Sequence, residues 1–243
     1  MERIAASHGL AHRDAAGRRR LLDDFRSRLG SPAPADVVRY AAAPGLAQVL
    51  ARSCDAQVVF PDALHVAPLA LGPGLRGDEL WLMAENQGVC VWAVPLDAGD
   101  HPPVLVAGDL PTDAGPQVYA GSLDEFAAAW DWDLGCVTGR PLLQAQAVLL
   151  TPETEIYLRK HLRPAITTWG WPTRRVQRLE ASDGLRILLW DGPAQCDWFV
   201  SAPEPAVLGR WLHRLMTVDG LADALWSNDD IGERILADAR SAR

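Results

Sequence analysis

Lysine is almost missing from this chain: Lys160 is the only one among 243 residues. No lysine or arginine at all falls between Arg76 and Arg140. A nucleic-acid face needs cations to neutralise phosphates, so that interval argues against one, as does the formal net charge of −8. Long apolar runs are missing too. Residues 1–20 are polar and lack the apolar core of a signal peptide, and no run reaches the length of a membrane span. The expectation is a cytoplasmic protein with no membrane contact. Cysteine is scarce and scattered, at Cys54, Cys90, Cys136 and Cys196, with no Cys-x-x-Cys pair. These read as buried thiols rather than a disulfide or zinc framework. His8 and His12 stand at i, i+4, a spacing that can hold a metal on a helix, but no third ligand is near. No metal and no cofactor are therefore expected.

The familiar catalytic signatures are also missing. There is no Gly-x-Ser-x-Gly, no His-Glu-x-x-His, no phosphate-binding Gly-x-x-x-x-Gly-Lys and no dinucleotide fingerprint. In Gly72-Pro73-Gly74 the proline removes a backbone donor that a phosphate would need. His101 beside Asp100 has no identifiable nucleophile partner. A protein that is not an enzyme is the expectation, with a pocket at Glu85-Asn86-Gln87 as the catalytic alternative.

What is there is an ordinary globular composition, 49% hydrophobic and 22% charged, enough apolar material for a sizeable core. The excess of arginine, alanine and proline is that of a GC-rich genome, as in actinobacteria. After the polar arm of residues 1–20, the spacing of Leu21, Leu22, Phe25 and Leu29 predicts a helix. A second helical stretch follows over 36–53, broken near Pro44-Gly45. Residues 56–60 and 64–66 read as short strands and 72–77 as a loop. Leu80 to Ala84 and Val89 to Val94 form two apolar runs joined by Glu85-Asn86-Gln87-Gly88, a polar link whose glycine can take the positive φ of a tight turn. Apolar residues fall on both parities in each run, which predicts a central hairpin covered on both faces. A third run, Pro103 to Val106, follows, then a loop over 108–121. Ser122-Leu123-Asp124-Glu125 has the form of a capping box opening a helix through Phe126 and Trp130.

From Thr151 a second unit is predicted. Thr151-Pro152-Glu153 starts a helix that Pro164 limits. Residues 175–181, 185–190 and 196–201 form three strands linked by Ser182-Asp183-Gly184 and Asp191-Gly192, an antiparallel meander. Helices are predicted near 205–216, 221–226 and 228–239. The class is α+β, with helices mainly on one face of the first sheet, and the expected divisions are an arm at 1–20, a domain at 21–145 and an α+β extension at 146–243.

The stretch Glu85-Asn86-Gln87-Gly88-Val89-Cys90-Val91-Trp92-Ala93-Val94, followed by Asp100-His101-Pro102-Pro103-Val104-Leu105-Val106, resembles the central signature of the SUKH superfamily. That superfamily includes fungal Smi/Knr regulators of cell-wall synthesis and bacterial immunity proteins that neutralise toxins. Glu85, Asn86, Gln87, Gly88, Trp92 and Pro103 carry the resemblance, which extends over residues 20–140. It implies an α+β sheet domain that binds another protein. Charge agrees: eleven carboxylates and no cation lie between Arg76 and Arg140, whereas residues 151–243 are nearly balanced, with thirteen acids and twelve bases. The expectation is an acidic docking face for a basic protein, a toxin domain in the immunity reading, with Asp97, Asp100, Asp109, Asp113, Asp131 and Asp133 as contact residues. A regulatory or scaffold protein with an endogenous partner is the alternative.

Overall fold

In the computed structural model the described residues are 39–40, 43, 45–46, 58–60, 64–66, 74–76, 78–84, 90–108, 116–170, 173–193 and 195–242. Two compact units divide the chain, Met1–Asp131 and Trp132–Arg243. The expected helix over 21–29, the Pro44-Gly45 break, the His8/His12 pair, Cys54 and the Glu85-to-Gly88 turn fall wholly or largely outside the described residues.

The first unit holds a two-stranded pair, β1 (Val58–Phe60) and β2 (Leu64–Val66), and a five-stranded antiparallel sheet. Its strands lie in chain order: β3 (Gly74–Arg76), β4 (Glu79–Ala84), β5 (Cys90–Pro95), β6 (Val104–Gly108) and β7 (Gln117–Ala120). β4 and β5 form the expected hairpin, with Leu80 opposite Val94 and Trp81 opposite Ala93. The register slips between Trp81 and Met83. This bulge explains the apolar residues on both parities, because it leaves Leu82 and Met83 buried in succession. Cys90, Trp92 and Val94 on β5 are buried together with Val104 and Val106 on β6; of the residues in between, Ala93 is buried as well, while Val91, Leu105 and Ala107 are half-buried, so one face is fully covered and the other in part. Strands β3 and β7 both replace expected loop; they are only three and four residues long, which gives them little signal in sequence.

Helix α1 (Leu123–Val137) starts as the Ser122-to-Glu125 pattern predicts. Ser122 Oγ accepts from Glu125 N at 3.2 Å, and the Glu125 carboxylate accepts from Gly121 N at 2.8 Å rather than from the backbone of Ser122. Trp92 on β5 is fully buried and meets Trp130 of α1 edge-on at 5.4 Å and Tyr119 of β7 at 5.9 Å between centroids.

The second unit is built on a six-stranded antiparallel sheet. β8 (Leu142–Ala145) pairs β13 (Cys196–Ser201), followed by β12 (Arg186–Asp191) and β11 (Arg175–Glu180). The short strands β9 (Arg163–Pro164) and β10 (Thr168–Trp169) both pair β11. The predicted meander is thus present, one strand richer than expected at its β8 edge. Residues Leu143, Leu179, Ile187, Leu189, Trp198 and Val200 on one face enter a core with Leu158, Leu208, Leu212 and Leu236. These come from helices α2 (Pro152–His161), α3 (Pro205–Leu215) and α5 (Asp230–Ser241), with the one-turn α4 (Leu221–Ala224) between the last two. Because Leu142 to Ala145 pair β13, they belong to the second sheet, and the division at Asp131 and Trp132 lies earlier than position 145. Cys90, Cys136 and Cys196 are buried; burial pushes the Cys136 thiol up to about 12 and raises that of Cys196 further.

Candidate functional site

Antiparallel order fixes which acids can meet. The turn before β4, the β5–β6 link and the turn after β7 all lie at one end of the first sheet. Asp78 occupies the first of these, Asp97 and Asp100 the second, and Asp124 the helix start beyond the third. Leu96 N donates to Asp78 O at 2.9 Å, which ties the first two connections together. Asp78, Asp97, Asp100 and Asp124 are all exposed. Gly99 takes φ +80 with open space where a Cβ would stand, so the link turns back at the surface.

A cleft of about 190 Å³ opens at this end, lined by Arg39, Tyr40, Asp100, His101, Ser122 and Asp124 among others. Tyr40 is buried and anchors its helical turn to the link, its hydroxyl 2.8 Å from Pro95 O and 3.1 Å from Leu96 O. That anchor positions Arg39, whose Nη1 pairs with Asp100 Oδ1 at 2.9 Å. The Asp100 side chain is 79% exposed and that of Arg39 39%, so water screens the pair and it contributes at most about 1 kcal/mol. Ser122 also borders the cleft, but its hydroxyl oxygen serves the helix start. The result is a shallow acidic rim with one arginine. Its geometry suits contact with a cationic surface.

The expected docking residues do not form one face. Asp97 and Asp100 stand on the rim. Asp109 and Asp113 lie outside the described residues. Asp131 is half-buried on α1. Asp133 has to be withdrawn from any docking surface: it is 5% exposed and holds Arg178, itself 1% exposed, in a bidentate pair at 2.7 and 2.6 Å. Burial pushes the Asp133 carboxyl up, and the guanidinium of Arg178 pulls it back. Of the residues behind the resemblance, Trp92 is core, Pro103 is half-buried before β6, and Glu85, Asn86, Gln87 and Gly88 lie outside the described residues.

Sequence reasoning missed Asp78, Asp124 and the Arg39–Tyr40 turn as parts of the rim. The signal for Asp78 was available in the hairpin, since pairing residue 79 with 95 forces residue 78 against 96. Nothing local announces the role of Tyr40, whose hydroxyl finds its acceptors more than fifty residues away.

Among the described residues, no group of three or more His, Cys, Asp or Glu is placed to hold a metal, and no helix is long and apolar enough to cross a membrane. No protein-family model matches the chain, and comparisons with curated proteins and with solved structures returned no match.

Proposed function

We propose that the chain is a protein-binding module of the immunity type, SUKH-like in its central sheet, which neutralises a basic toxin domain by docking it on the acidic rim. The observation that carries this reading is the convergence of Asp78, Asp97, Asp100 and Asp124 at one end of the first sheet. They are exposed there, with Arg39 the cation lining their cleft. Charges in surface links cost the fold little and act at a distance, so they steer a basic partner before contact. The resemblance at residues 85–106 supports the same assignment, as does the acid excess between Arg76 and Arg140. The protein works by occupying its partner's surface, without chemistry of its own.

The test is association with a toxin domain, where one is encoded beside the gene, or with a partner captured from the native host. Wild type is compared with the triple variant Asp97→Lys, Asp100→Lys, Asp124→Lys at several salt concentrations. The association rate of the wild type is expected to fall as the Debye length shrinks from about 10 Å at 0.1 M to about 3 Å at 1 M. The variant is expected to associate at least about tenfold more slowly at low salt, with its melting temperature lowered only slightly, since exposed charges add little stability even where Asp124 stands at a helix start and Asp100 pairs with Arg39. Equal rates that ignore salt would remove the rim as the docking site.

A further inference from the structure

The second unit contains an unassigned cleft of about 370 Å³, within the range of small-ligand sites. It lies where α1 ends and the β11–β12 turn begins, lined by Gly135, Gly139, Arg140, Glu180, Gly184 and Arg186 among others. Three of the ten lining residues are glycines, so part of the space is left open by missing side chains. One of the absences is specific: a Cβ at Gly135 would collide with Arg186 Nη1, so the guanidinium lies directly against the helix backbone. Its other neighbour is the Trp132 ring, 5.4 Å from Cζ to the centroid.

Arg186 is the unusual residue here. It is half-buried, yet among the described residues its five N–H donors meet no protein acceptor and no carboxylate lies within ion-pair distance. Its cross-strand neighbour Glu180 pairs instead with Arg163 at 3.2 Å. Other inward-turned arginines of this unit are engaged: Arg178 with Asp133, and Arg175 with Glu155 and Asp191. The carbonyl end of α1 would by itself repel an anion. Arg140 covers it, donating from Nη1 to Gly139 O at 2.8 Å and Val137 O at 3.3 Å, and so places a second cation at the rim.

We propose that this cleft binds a small molecule through an oxyanion, a carboxylate or a phosphate, gripped by the planar fork of Arg186 with Arg140 at the entrance. A fork of parallel N–H donors fits either oxyanion bidentately, which an ammonium would not. The stacked Trp132 and the backbone of Gly135 hold the fork in place before the ligand arrives.

Isothermal titration with inorganic phosphate and, separately, acetate tests the site in the full chain. Binding of one or both anions is expected in the millimolar range. Stronger phosphate binding would identify a phosphorylated ligand, and stronger acetate binding a carboxylated one. Arg186→Gln should weaken binding at least about tenfold. Gly135→Ala is the more telling variant, because alanine favours a helix and the atom it displaces is the free end of a side chain. It should melt no lower than wild type and still lose the anion. Failure of both anions to bind up to a few tens of millimolar would overturn the proposal. Unchanged binding in Arg186→Gln and Gly135→Ala would overturn it as well.

Discussion

Asp133 shows how little a residue's type reveals about its place. In sequence it is one of eleven acids in a stretch without cations; in the fold it is the buried counter-ion of Arg178, forty-five residues away. Arg178 also donates to Ile166 O and Thr168 Oγ1, each at 3.2 Å, so the guanidinium joins α1 to β10 and to the link that precedes it. Replacing Asp133 by Ala strands a positive charge in the interior, and the expected loss is about 3–5 kcal/mol. Urea unfolding would measure it. The double replacement Asp133→Leu, Arg178→Met should recover much of that loss, since two apolar side chains need no partner. If the double variant is as unstable as the single one, the pair is not what holds this region. Tryptophan is more legible. Trp92 was readable as core from its strand, and its edge-on contacts with Trp130 and Tyr119 give it that role. Trp92→Ala should lower stability by about 3–5 kcal/mol through the cavity it leaves, visible as a lower thermal midpoint; a shift too small to resolve would contradict its burial.

At the scale of elements, local signals and long-range pairing divide cleanly. The meander was legible to within a residue or so because Asp183-Gly184 and Asp191-Gly192 punctuate apolar runs of strand length. β8, β9 and β10 were not, being two to four residues long and defined by partners elsewhere in the chain. The first sheet repeats the lesson: the central hairpin is plain, whereas β7 shows only Tyr119 and Ala120 to the core. Helix starts are local and were read well. Thr151 caps α2 by accepting from Thr154 N at 3.2 Å. Asp229 does more for α5, accepting from Gly232 N at 2.8 Å and, through its second oxygen, from Leu142 N at 2.9 Å at the edge of β8. Burial raises the Asp229 carboxyl, but these hydrogen bonds and that of Ser227 outweigh it and hold it below the ordinary range. A carboxyl depressed in the fold stabilises it above its unfolded value, and the benefit is lost as pH falls through the folded value. Asp229→Ala should therefore cost about 1–2 kcal/mol near neutrality, and the gap from wild type should close below about pH 4. Thermal melts across that range would show it. A gap independent of pH would mean the charge is not involved.

For the whole molecule, the acid excess belongs to one unit. Residues 1–131 hold seventeen acids and ten bases, and residues 132–243 hold fourteen and thirteen. The count along the chain already pointed there, but which acids face solvent depended on strand order and on Arg178, neither of which composition contains. The same division bears on how the chain can be cut. A protease or an engineer looking for a seam would choose the stretch without helix or strand near 145, between the last residue of β8 and Thr151. Cutting there removes β8 from the ladder of β13, exposing the donors and acceptors opposite Leu142 to Ala145. It takes Asp133 away from Arg178 and leaves Asp229 without the Leu142 amide. The fragment 146–243 is expected to melt without cooperativity or to aggregate, while 132–243 retains all three contacts and should melt as a unit; a sharp transition in the shorter fragment would show that they are dispensable. The true seam of this polypeptide runs through the middle of a helix, where no cleavage site would be sought.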